Sequence, residues 1–286
     1  MLDRLFGRRR GEHDFSGKIV LVTGAASGIG RGVALAFARA GSDLVLVDVD
    51  GGRLRETADM VEASGSRCLA KRVDVSSRSQ MEAMAGEVLS DWGRVDILIN
   101  NAGVGVGGEL VNIPMEDLEW IVGINLMGEI YGTRLFLPRM IERGEGHIVN
   151  VASLSGLVLL PFHLAYTTTK FGLTGFSTAL WAETKRHGVG VTLVCPGAVK
   201  TNIMEHTRAH AGGDKQEEAT ERFGRLLQER GKSPDEAAAF ILDAVAAKRF
   251  LCLMGAEAYI LYYLTRLSPG FMRRLVASIT GLLSKG

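Results

Sequence analysis

The chain has 286 residues, and its 33 lysines and arginines nearly balance its 32 aspartates and glutamates, giving a formal net charge of +1. This balance offers no broad attraction for polyanions, so nucleic acid is not an expected partner. Hydrophobic residues make up 47% of the chain, as in a packed globular protein. The three cysteines, Cys68, Cys195 and Cys252, form no spaced cluster and cannot all pair, which favours a reducing, cytoplasmic location.

Residues 1–14 form a basic tail that includes three consecutive arginines, Arg8 to Arg10. A polar stretch follows the arginines where a secretory signal peptide would need an apolar run. We therefore expect a loosely docked tail and no signal peptide.

From residue 18 the sequence alternates short β-branched runs with longer segments of helical period. The apolar runs are nearly continuous, which is typical of parallel strands covered on both faces. The intervening segments, such as 31–40, 53–63 and 80–92, are long enough for crossover connections. The pattern predicts an α/β fold with a doubly wound parallel sheet and helices on both faces. The expected strands cover residues 19–22, 44–47, 68–73, 95–99, 147–151, 191–194 and 250–254.

No linker or repeat divides the chain, so we expect a single domain over residues 1–286. The segment from about 201 to 232 is polar and breaks the alternation, which a helix at 234–248 restores. An irregular insertion at the carboxyl ends of parallel strands is expected to form a substrate loop.

Residues 256–286 lie beyond the last expected strand and contain apolar runs broken at Pro269. These runs are too short to cross a membrane and predict two amphipathic helices, a C-terminal helical extension. The extension could cover the functional site, join subunits or lie on a membrane surface with Arg266, Arg273 and Arg274 at the headgroups. Packing or subunit contacts are favoured over peripheral membrane contact.

A glycine-rich turn follows the first expected strand and leads directly into a helix. The backbone N–H groups of such a turn can bind a pyrophosphate, because glycines let the phosphate approach closely. The spacing departs from G-x-G-x-x-G because Val33 occupies the last position, and an ordinary tight turn is the alternative interpretation. The turn residues are Gly24, Ser27, Gly28, Ile29 and Gly30.

Asp48 ends the second expected strand, eighteen residues after Gly30. A carboxylate at this point can accept hydrogen bonds from an adenosine ribose and repel a 2′-phosphate. No lysine or arginine lies inside the glycine turn. The sequence thus favours NAD(H) over NADP(H), with the alternative that Asp48 only starts a turn with Asp50 and Gly51.

Tyr166 and Lys170 are four residues apart, so on a helix their side chains would share one face. Ser153 lies thirteen residues before Tyr166, just past an expected strand, and would meet the pair at the ligand-binding edge of the sheet. Free tyrosine titrates near about 10, so a tyrosine that acts as a base near neutral pH needs a nearby cation. A solvated helix face is the alternative.

These features, with Asn100-Asn-Ala-Gly103 and Pro196-Gly197, occur in the order and spacing of the classical short-chain dehydrogenase/reductase family, which residues 15–254 resemble. The resemblance implies a single Rossmann-type domain, usually dimeric or tetrameric, hence a homodimer or homotetramer here. It also implies a catalytic tetrad consisting of Asn125, Ser153, Tyr166 and Lys170.

The resemblance implies a role for each member of the tetrad. Tyr166 resembles the general acid/base, Ser153 the donor that polarises the substrate oxygen, and Lys170 the residue that holds the nicotinamide ribose. In oxidation, Tyr166 would take the hydroxyl proton while hydride leaves the carbinol carbon for the nicotinamide. Asn125 resembles the residue that holds water in a proton relay, although an asparagine inside a helix could also bond only to backbone.

Further cofactor contacts follow from the same resemblance. Those near the adenosine are Asp74 and Val75 at the adenine ring and Asn101, Ala102 and Gly103 beside the ribose. Those near the nicotinamide carboxamide are Pro196, Gly197, Val199 and Thr201, through the Val199 backbone and the Thr201 hydroxyl. Without the family, Pro196-Gly197 would be only a turn.

Apolar residues near the expected tetrad suggest a lipophilic substrate. Residues 156–162, with Val104, Val106 and Met204, would form an apolar wall, although sheet or subunit packing could use the same side chains. His163 would either line the substrate mouth or pack at the surface.

Metal binding is not expected, although two histidines four residues apart, His206 and His210, lie near Glu205 and Asp214. The stretch lacks the internal glutamate of H-E-x-x-H and falls in the polar insertion.

The expected function is an NAD(H)-dependent oxidoreductase that interconverts a small, lipophilic secondary alcohol and its ketone or carbonyl form. The alternative is an NAD(H)-binding sensor or scaffold without turnover. A pure sensor does not need all four members of the tetrad, so their joint presence favours the enzyme.

Overall fold

The structure is a computed structural model that describes residues 13–210, 212, 218, 224–225, 229 and 231–284. The expected basic tail lies outside the described residues except for residues 13 and 14. Most of the expected substrate loop beyond residue 210 also lies outside them.

Seven parallel strands form the central sheet. Their bounds are β1 Ile19–Thr23, β2 Asp43–Asp48, β3 Cys68–Arg72, β4 Ile97–Asn100, β6 Gly146–Val151, β7 Val189–Pro196 and β9 Leu251–Met254, with β5 Gly105–Gly108 and β8 Thr207–His210 outside this sheet. The order is β3-β2-β1-β4-β6-β7-β9. It reverses between β1 and β4, the point at which doubly wound sheets bind ligands.

Helices cover both faces of the sheet. Their bounds are α1 Gly28–Arg39, α2 Gly51–Ala63, α3 Arg78–Trp92, α4 Met115–Val122, α5 Glu129–Arg143, α6 Leu164–Thr184 and α7 Pro234–Ala246. On β1, Val20 and Val22 pack with α1, α2 and α7, whereas Ile19 and Leu21 pack with α3, α5 and α6. The predicted doubly wound α/β fold is confirmed.

Local side-chain chemistry marks several helix ends. Asp50 caps α2 by accepting a hydrogen bond from Arg53 N at 3.0 Å. Ser233 and Glu236 form a reciprocal capping box at the start of α7. Gly93 and Gly144 end α3 and α5 with φ of 75° and 67°, a conformation that favours glycine.

The small parallel pair formed by β5 and β8 is absent from the sequence prediction, which treats residues 201–232 as irregular. Residues Asn202–His206 form a short 3-10 helix, and β8 follows it directly. A Cβ at Gly105 would lie 2.3 Å from Thr207 Oγ1, so glycine allows the close approach of β5 to β8. β5 contains three glycines among four residues and carries no strand signal of its own.

The predicted C-terminal helical extension is confirmed as α8 Ala256–Leu267 and α9 Pro269–Ser284. α8 buries Ala258 in a hydrophobic cluster with Leu157 and Leu253. None of the described helices combines the length and the apolar composition that crossing a membrane requires.

The buried His147 on β6 provides a test of the fold. Its Nε2 lies 2.8 Å from Thr192 Oγ1, and burial, with a smaller effect of Lys248, lowers the pKa of His147 to about 4. The unfolded chain binds this proton near about pH 6.5, so the contribution of His147 to the free energy of unfolding should fall as pH decreases from about 6.5 to about 4. Urea unfolding at several pH values should show that the stability difference between the wild type and His147→Gln falls over this range. A difference that does not depend on pH, or an equal pH dependence in the control His187→Gln, would contradict this assignment.

Candidate active site

A cleft of about 430 Å³ opens at the carboxyl ends of the strands. It extends from the end of β2, past the turn after β1, to the segments that follow β4, β6 and β7. Nearly all residues expected from the sequence line it: Gly24, Ser27, Gly28, Ile29, Asp48, Asp74, Val75, Asn101, Ala102, Gly103, Ser153, Tyr166, Lys170, Pro196, Gly197, Val199 and Thr201. Gly30 and Asn125 do not line the cleft and lie behind its walls.

The glycine turn leaves a helix N-terminus open to the cleft. Ser27 is the N-cap of α1, but its side chain makes no capping hydrogen bond, and the first turn contains no acidic residue. The N–H groups and the positive end of the helix dipole are therefore available to an anion. A Cβ at Gly30 would lie 1.9 Å from Gly24 O, so this glycine allows the turn to pack against the helix.

The Asp48 carboxylate joins the end of β2 to the glycine turn. One oxygen accepts a hydrogen bond from Ala26 N at 2.9 Å, and the other accepts one from Asp50 N at 3.0 Å. The contact with Asp50 shows that Asp48 does start the local turn that the sequence offered as the alternative to ribose binding. Because Asp48 also lines the cleft, the turn contact and a role in ribose binding are compatible.

Arg53 also lines the cleft, in the first turn of α2. The glycine turn contains no basic residue, as the sequence shows, but the helical turn after β2 brings this guanidinium back to the cleft. Arg53 is paired with Asp50 at 3.7 Å and with Glu205 at 3.3 Å. These carboxylates compete with any phosphate for its N–H groups.

Tyr166 and Lys170 lie in the first two turns of α6, with Lys170 Nζ 5.9 Å from the centre of the Tyr166 ring. Lys170 is 3% exposed, and its ammonium group donates a hydrogen bond to Val151 O at 3.0 Å. Ser153 follows β6, and its Oγ accepts a hydrogen bond from Ser155 N at 3.1 Å. The strand end and the helix thus bring a hydroxyl, a phenol and an ammonium group to one end of the cleft.

Asn125 lies in a π-helical segment, Gly123–Gly128, between α4 and α5. Its side chain is fully buried and pairs with the Val104 backbone, accepting from Val104 N at 2.8 Å and donating to Val104 O at 2.9 Å. A Cβ at Gly103 would lie 3.5 Å from Asn125 Oδ1 and 3.7 Å from Lys170 Nζ. The π-segment therefore brings Asn125 close to the lysine, and such segments recur at functional sites.

Glu129 is a buried residue of the site that no sequence motif indicates. It begins α5, is 2% exposed, and its Oε1 lies 3.6 Å from Lys170 Nζ, an ion-pair distance longer than a hydrogen bond. Neither carboxylate oxygen has a hydrogen-bond partner among the described residues. Burial raises the pKa of Glu129 to about 8, with Lys170 opposing the increase. The sequence feature that could have pointed to Glu129 is its position four residues after Asn125, which places the two side chains on the same helix face.

The end of the cleft that contains Ser153, Tyr166 and Lys170 has an apolar wall that only partly matches the expected one. Val104, Val106 and Met204 line the cleft as expected, and Leu160 does so from the 156–162 segment. Leu157 and Val158 instead pack in the cluster that α8 covers. The expectation that Leu157 and Val158 line the cleft is wrong, because the C-terminal extension buries them. Wall residues that no sequence motif indicates are Trp120, Ile124 and Ile203.

The histidines near the cleft are separated by the fold. His163 and His206 line the cleft, and burial lowers the pKa of His163. His210 Nε2 instead lies 2.6 Å from Asp117 Oδ2. Asp214 lies outside the described residues, and the expectation that no metal binds remains a prediction.

A polar clamp holds β8 against α4. Asp117 is 7% exposed and pairs with both Arg208 and His210. The Arg208 guanidinium lies 3.7 Å from the centre of the Trp120 ring, and its hydrogen bond is the largest of the contacts that keep the pKa of Asp117 below its ordinary value. Because Trp120 lines the cleft, this clamp fixes β8 beside the apolar wall.

Known proteins share both the sequence and the fold of this chain. Residues 18–212 match the family model for short chain dehydrogenase. The chain is 40% identical over 271 residues to "Probable oxidoreductase EphD" of Mycobacterium tuberculosis, covering 93% of this chain and 45% of that protein. The chain thus spans about half the length of this curated relative.

Two solved structures have the same architecture. A short chain dehydrogenase/reductase from Burkholderia phymatum in complex with NAD has 34% identity and a TM-score of 0.84, covering 90% of this chain and 96% of that one. An alcohol dehydrogenase from the archaeon Thermococcus sibiricus, complexed with 5-hydroxy-NADP, has 25% identity and a TM-score of 0.71, covering 83% and 95%. The chain belongs to the short-chain dehydrogenase/reductase family of nicotinamide-dependent oxidoreductases.

Proposed function

We propose that this chain interconverts a small lipophilic secondary alcohol and the corresponding ketone or carbonyl compound, with NAD(H) as the cofactor. The observation that carries the proposal is that Ser153, Tyr166 and Lys170 line the same cleft as the glycine turn and Asp48. A dinucleotide bound along the cleft would therefore have its two ends next to groups of matching chemistry. Val104, Val106 and Met204 support the lipophilic character of the substrate.

The residues of the cleft fit a nicotinamide dinucleotide. The N-terminus of α1, which has neither a side-chain cap nor an acidic residue in its first turn, would bind the pyrophosphate. Asp48 would accept hydrogen bonds from the adenosine ribose. Lys170 would donate to the nicotinamide ribose, and Pro196 to Thr201 would orient the carboxamide. When bound, the cofactor supplies the hydride acceptor or donor.

The proton is handled by the side chains of the chain itself. Ser153 would donate a hydrogen bond to the substrate oxygen, and Tyr166 would take the hydroxyl proton in oxidation and return it in reduction. The Lys170 ammonium group favours a negative charge on the neighbouring phenol oxygen. Asn125 pairs with the Val104 backbone beside Gly103 and the lysine, a position suited to holding a relay water.

Tyr166→Phe should lower the rate with secondary alcohols and ketones by about 10²–10⁴-fold, because the variant lacks the proton-transferring hydroxyl. Nicotinamide absorbance would follow turnover over a panel of apolar substrates, with Tyr263→Phe as the control because Tyr263 is 58% exposed on α8. A Tyr166→Phe enzyme that keeps most of its rate would rule out this acid/base. Tight NAD(H) binding without turnover of any substrate by the wild type would instead favour the sensor function.

We propose that NAD(H) is preferred over NADP(H). Support comes from the Asp48 carboxylate in the cleft and from Arg53, whose guanidinium is already paired with Asp50 and Glu205. Solved relatives include complexes with NAD and with an NADP derivative, so the family admits both cofactors.

Asp48→Asn should move the ratio of NADP(H) to NAD(H) affinity towards NADP(H) by about tenfold, or ~1.4 kcal/mol, because it removes the charge that repels a 2′-phosphate. Dissociation constants for both cofactors would be compared with those of Asp59→Asn, which makes the same chemical change at an exposed position of α2 that does not line the cleft. An unchanged ratio in Asp48→Asn, or an equal change in both variants, would exclude Asp48 as the selective residue.

We also propose a homodimer or homotetramer in the cytoplasm, with peripheral contact between the C-terminal extension and a membrane. The unpaired Cys68, Cys195 and Cys252 support a reducing compartment. Exposed Leu164, Phe171 and Trp181 on α6 offer apolar area for subunit contacts.

Membrane contact is supported by the exposed face of α8. The apolar residues of this face follow a helical period and are Ile260, Tyr263, Leu264 and Leu267. After Glu257 the sequence contains no acidic residue, whereas Arg266, Arg273, Arg274 and Lys285 are basic. A two-fold contact between copies of the extension would bring these basic residues together, so the excess of positive charge favours an anionic lipid surface over the subunit contacts expected from the sequence.

Leu267→Glu should weaken sedimentation with vesicles that contain anionic lipid, because it places a negative charge on an 82% exposed apolar position. The control is Val111→Glu, which changes an 85% exposed residue in the segment before α4. Vesicle binding and molar mass would be measured together. A change in molar mass with unchanged vesicle binding would show that this face joins subunits instead.

A further inference from the structure

The buried carboxyl group of Glu129 has no part in the proposed proton transfer, although it contacts Lys170. Lys170 Nζ lies 3.0 Å from Val151 O, 3.6 Å from Glu129 Oε1 and 5.9 Å from the centre of the Tyr166 ring. Lys170 and Glu129 are both almost completely buried. A buried carboxyl group without hydrogen bonds is costly in its charged form, so its presence beside the lysine calls for a functional explanation.

The side chains that hydrogen-bond next to Glu129 in the described part of the chain are neutral. Asn100 Nδ2 donates to the Glu129 main-chain oxygen at 3.3 Å, to Thr133 Oγ1 at 3.1 Å and to Asn150 Oδ1 at 2.9 Å. Among the described residues, Lys170 is the charged side chain that acts on the Glu129 carboxyl group. The carboxylate of Asp74, which also lines the cleft, accepts hydrogen bonds from the Ser76 backbone and hydroxyl.

Two charge states of the pair follow from this environment. Burial raises the pKa of Glu129 to about 8, so the carboxyl group is mainly neutral at neutral pH and ionised in mild alkali. With Lys170 positively charged, the pair carries one net positive charge in the first state and none in the second.

We propose that Glu129 is a positioning residue that acts through Lys170: by binding or releasing a proton it sets the net charge beside the nicotinamide and thereby the relative affinity for NAD⁺ and NADH. This inference rests on the proposed binding of NAD(H) at Lys170. The oxidised nicotinamide ring carries a positive charge that the reduced ring lacks. A net positive site therefore disfavours NAD⁺ relative to NADH, and ionisation of Glu129 removes this penalty.

Cofactor binding tests the proposal without any substrate. Dissociation constants for NAD⁺ and NADH would be measured by calorimetry at about pH 6.5 and about pH 9.5, on either side of the Glu129 pKa of about 8. In the wild type the preference for NADH over NAD⁺ should fall roughly fivefold between these pH values. In Glu129→Gln most of this change should be lost, because glutamine cannot ionise, and adding Tyr166→Phe to both proteins removes the other titratable group beside Lys170.

Two further variants separate charge from packing. Glu142→Gln makes the same chemical change at an exposed position of α5, where Glu142 pairs with Arg139, and should behave as the wild type does. Glu129→Asp keeps an ionisable group and should retain a pH-dependent preference. The same pH dependence in Glu129→Gln and wild type would overturn the proposal. If Glu129→Gln does not fold, a pH-independent preference in the wild type would overturn it equally.

Stability provides a readout that does not require the cofactor. The folded protein keeps the Glu129 proton up to about pH 8, whereas the unfolded chain releases it near 4.5, so this group makes the free energy of unfolding fall as pH rises through that window. Between about pH 6.5 and about 8 the contribution of His147 is constant, and Glu129→Gln should remove most of the slope. Failure to bind NAD(H) would refute the proposed function. A slope unchanged by Glu129→Gln would refute the charge switch itself.

Discussion

The structure depends on keeping one positive charge, the ammonium group of Lys170, inside the protein. A buried ammonium group needs partners that replace water, and two elements of the fold supply them. The end of β6 provides the carbonyl of Val151, and the start of α5 provides the carboxyl group of Glu129. The positions of β6, α5 and α6 are therefore coupled at the point where the chemistry is proposed to occur.

The parallel sheet makes this coupling useful. Because all seven strands of the central sheet point the same way, the segments after β1, β2, β4, β6 and β7 reach the same edge and form one cleft. The open N-terminus of α1 and the Lys170 site are parts of that cleft, which suits an extended anionic cofactor with a reactive ring. The Asp117 clamp fixes β8 beside the cleft, so the wall that contains Trp120 is also held by charge pairing.

The fold and much of the candidate site can be predicted from the sequence because both depend on local patterns. Nearly continuous apolar runs indicate the parallel strands, and the glycine turn, Ser153 and Tyr166 with Lys170 indicate the cleft. The pair of β5 and β8 escapes prediction because a strand such as Gly105–Gly108 is stabilised by its partner and not by its own residues. The π-segment at Asn125 likewise depends on pairing with Val104, a contact that the sequence does not encode locally.

Long-range contacts also explain the residues that the sequence places incorrectly or leaves unnoticed. Leu157 belongs to an apolar run that could line the substrate site, but α8, a hundred residues later, buries it. Arg53 reaches the cleft only because α2 turns back after β2. Glu129 has the sequence character of a solvent-facing helical glutamate, and its burial follows from the packing of α5 against β4 and β6, which brings it to Lys170.

Transfer of the hydride itself tests the central claim most directly. NADH carrying deuterium at C4 of the nicotinamide would be incubated with apolar ketones, and the alcohol products would be analysed by mass spectrometry. The account predicts that deuterium appears on the carbinol carbon with the wild type and is nearly absent with Tyr166→Phe. Tight NADH binding without deuterium transfer to any carbonyl compound would contradict it.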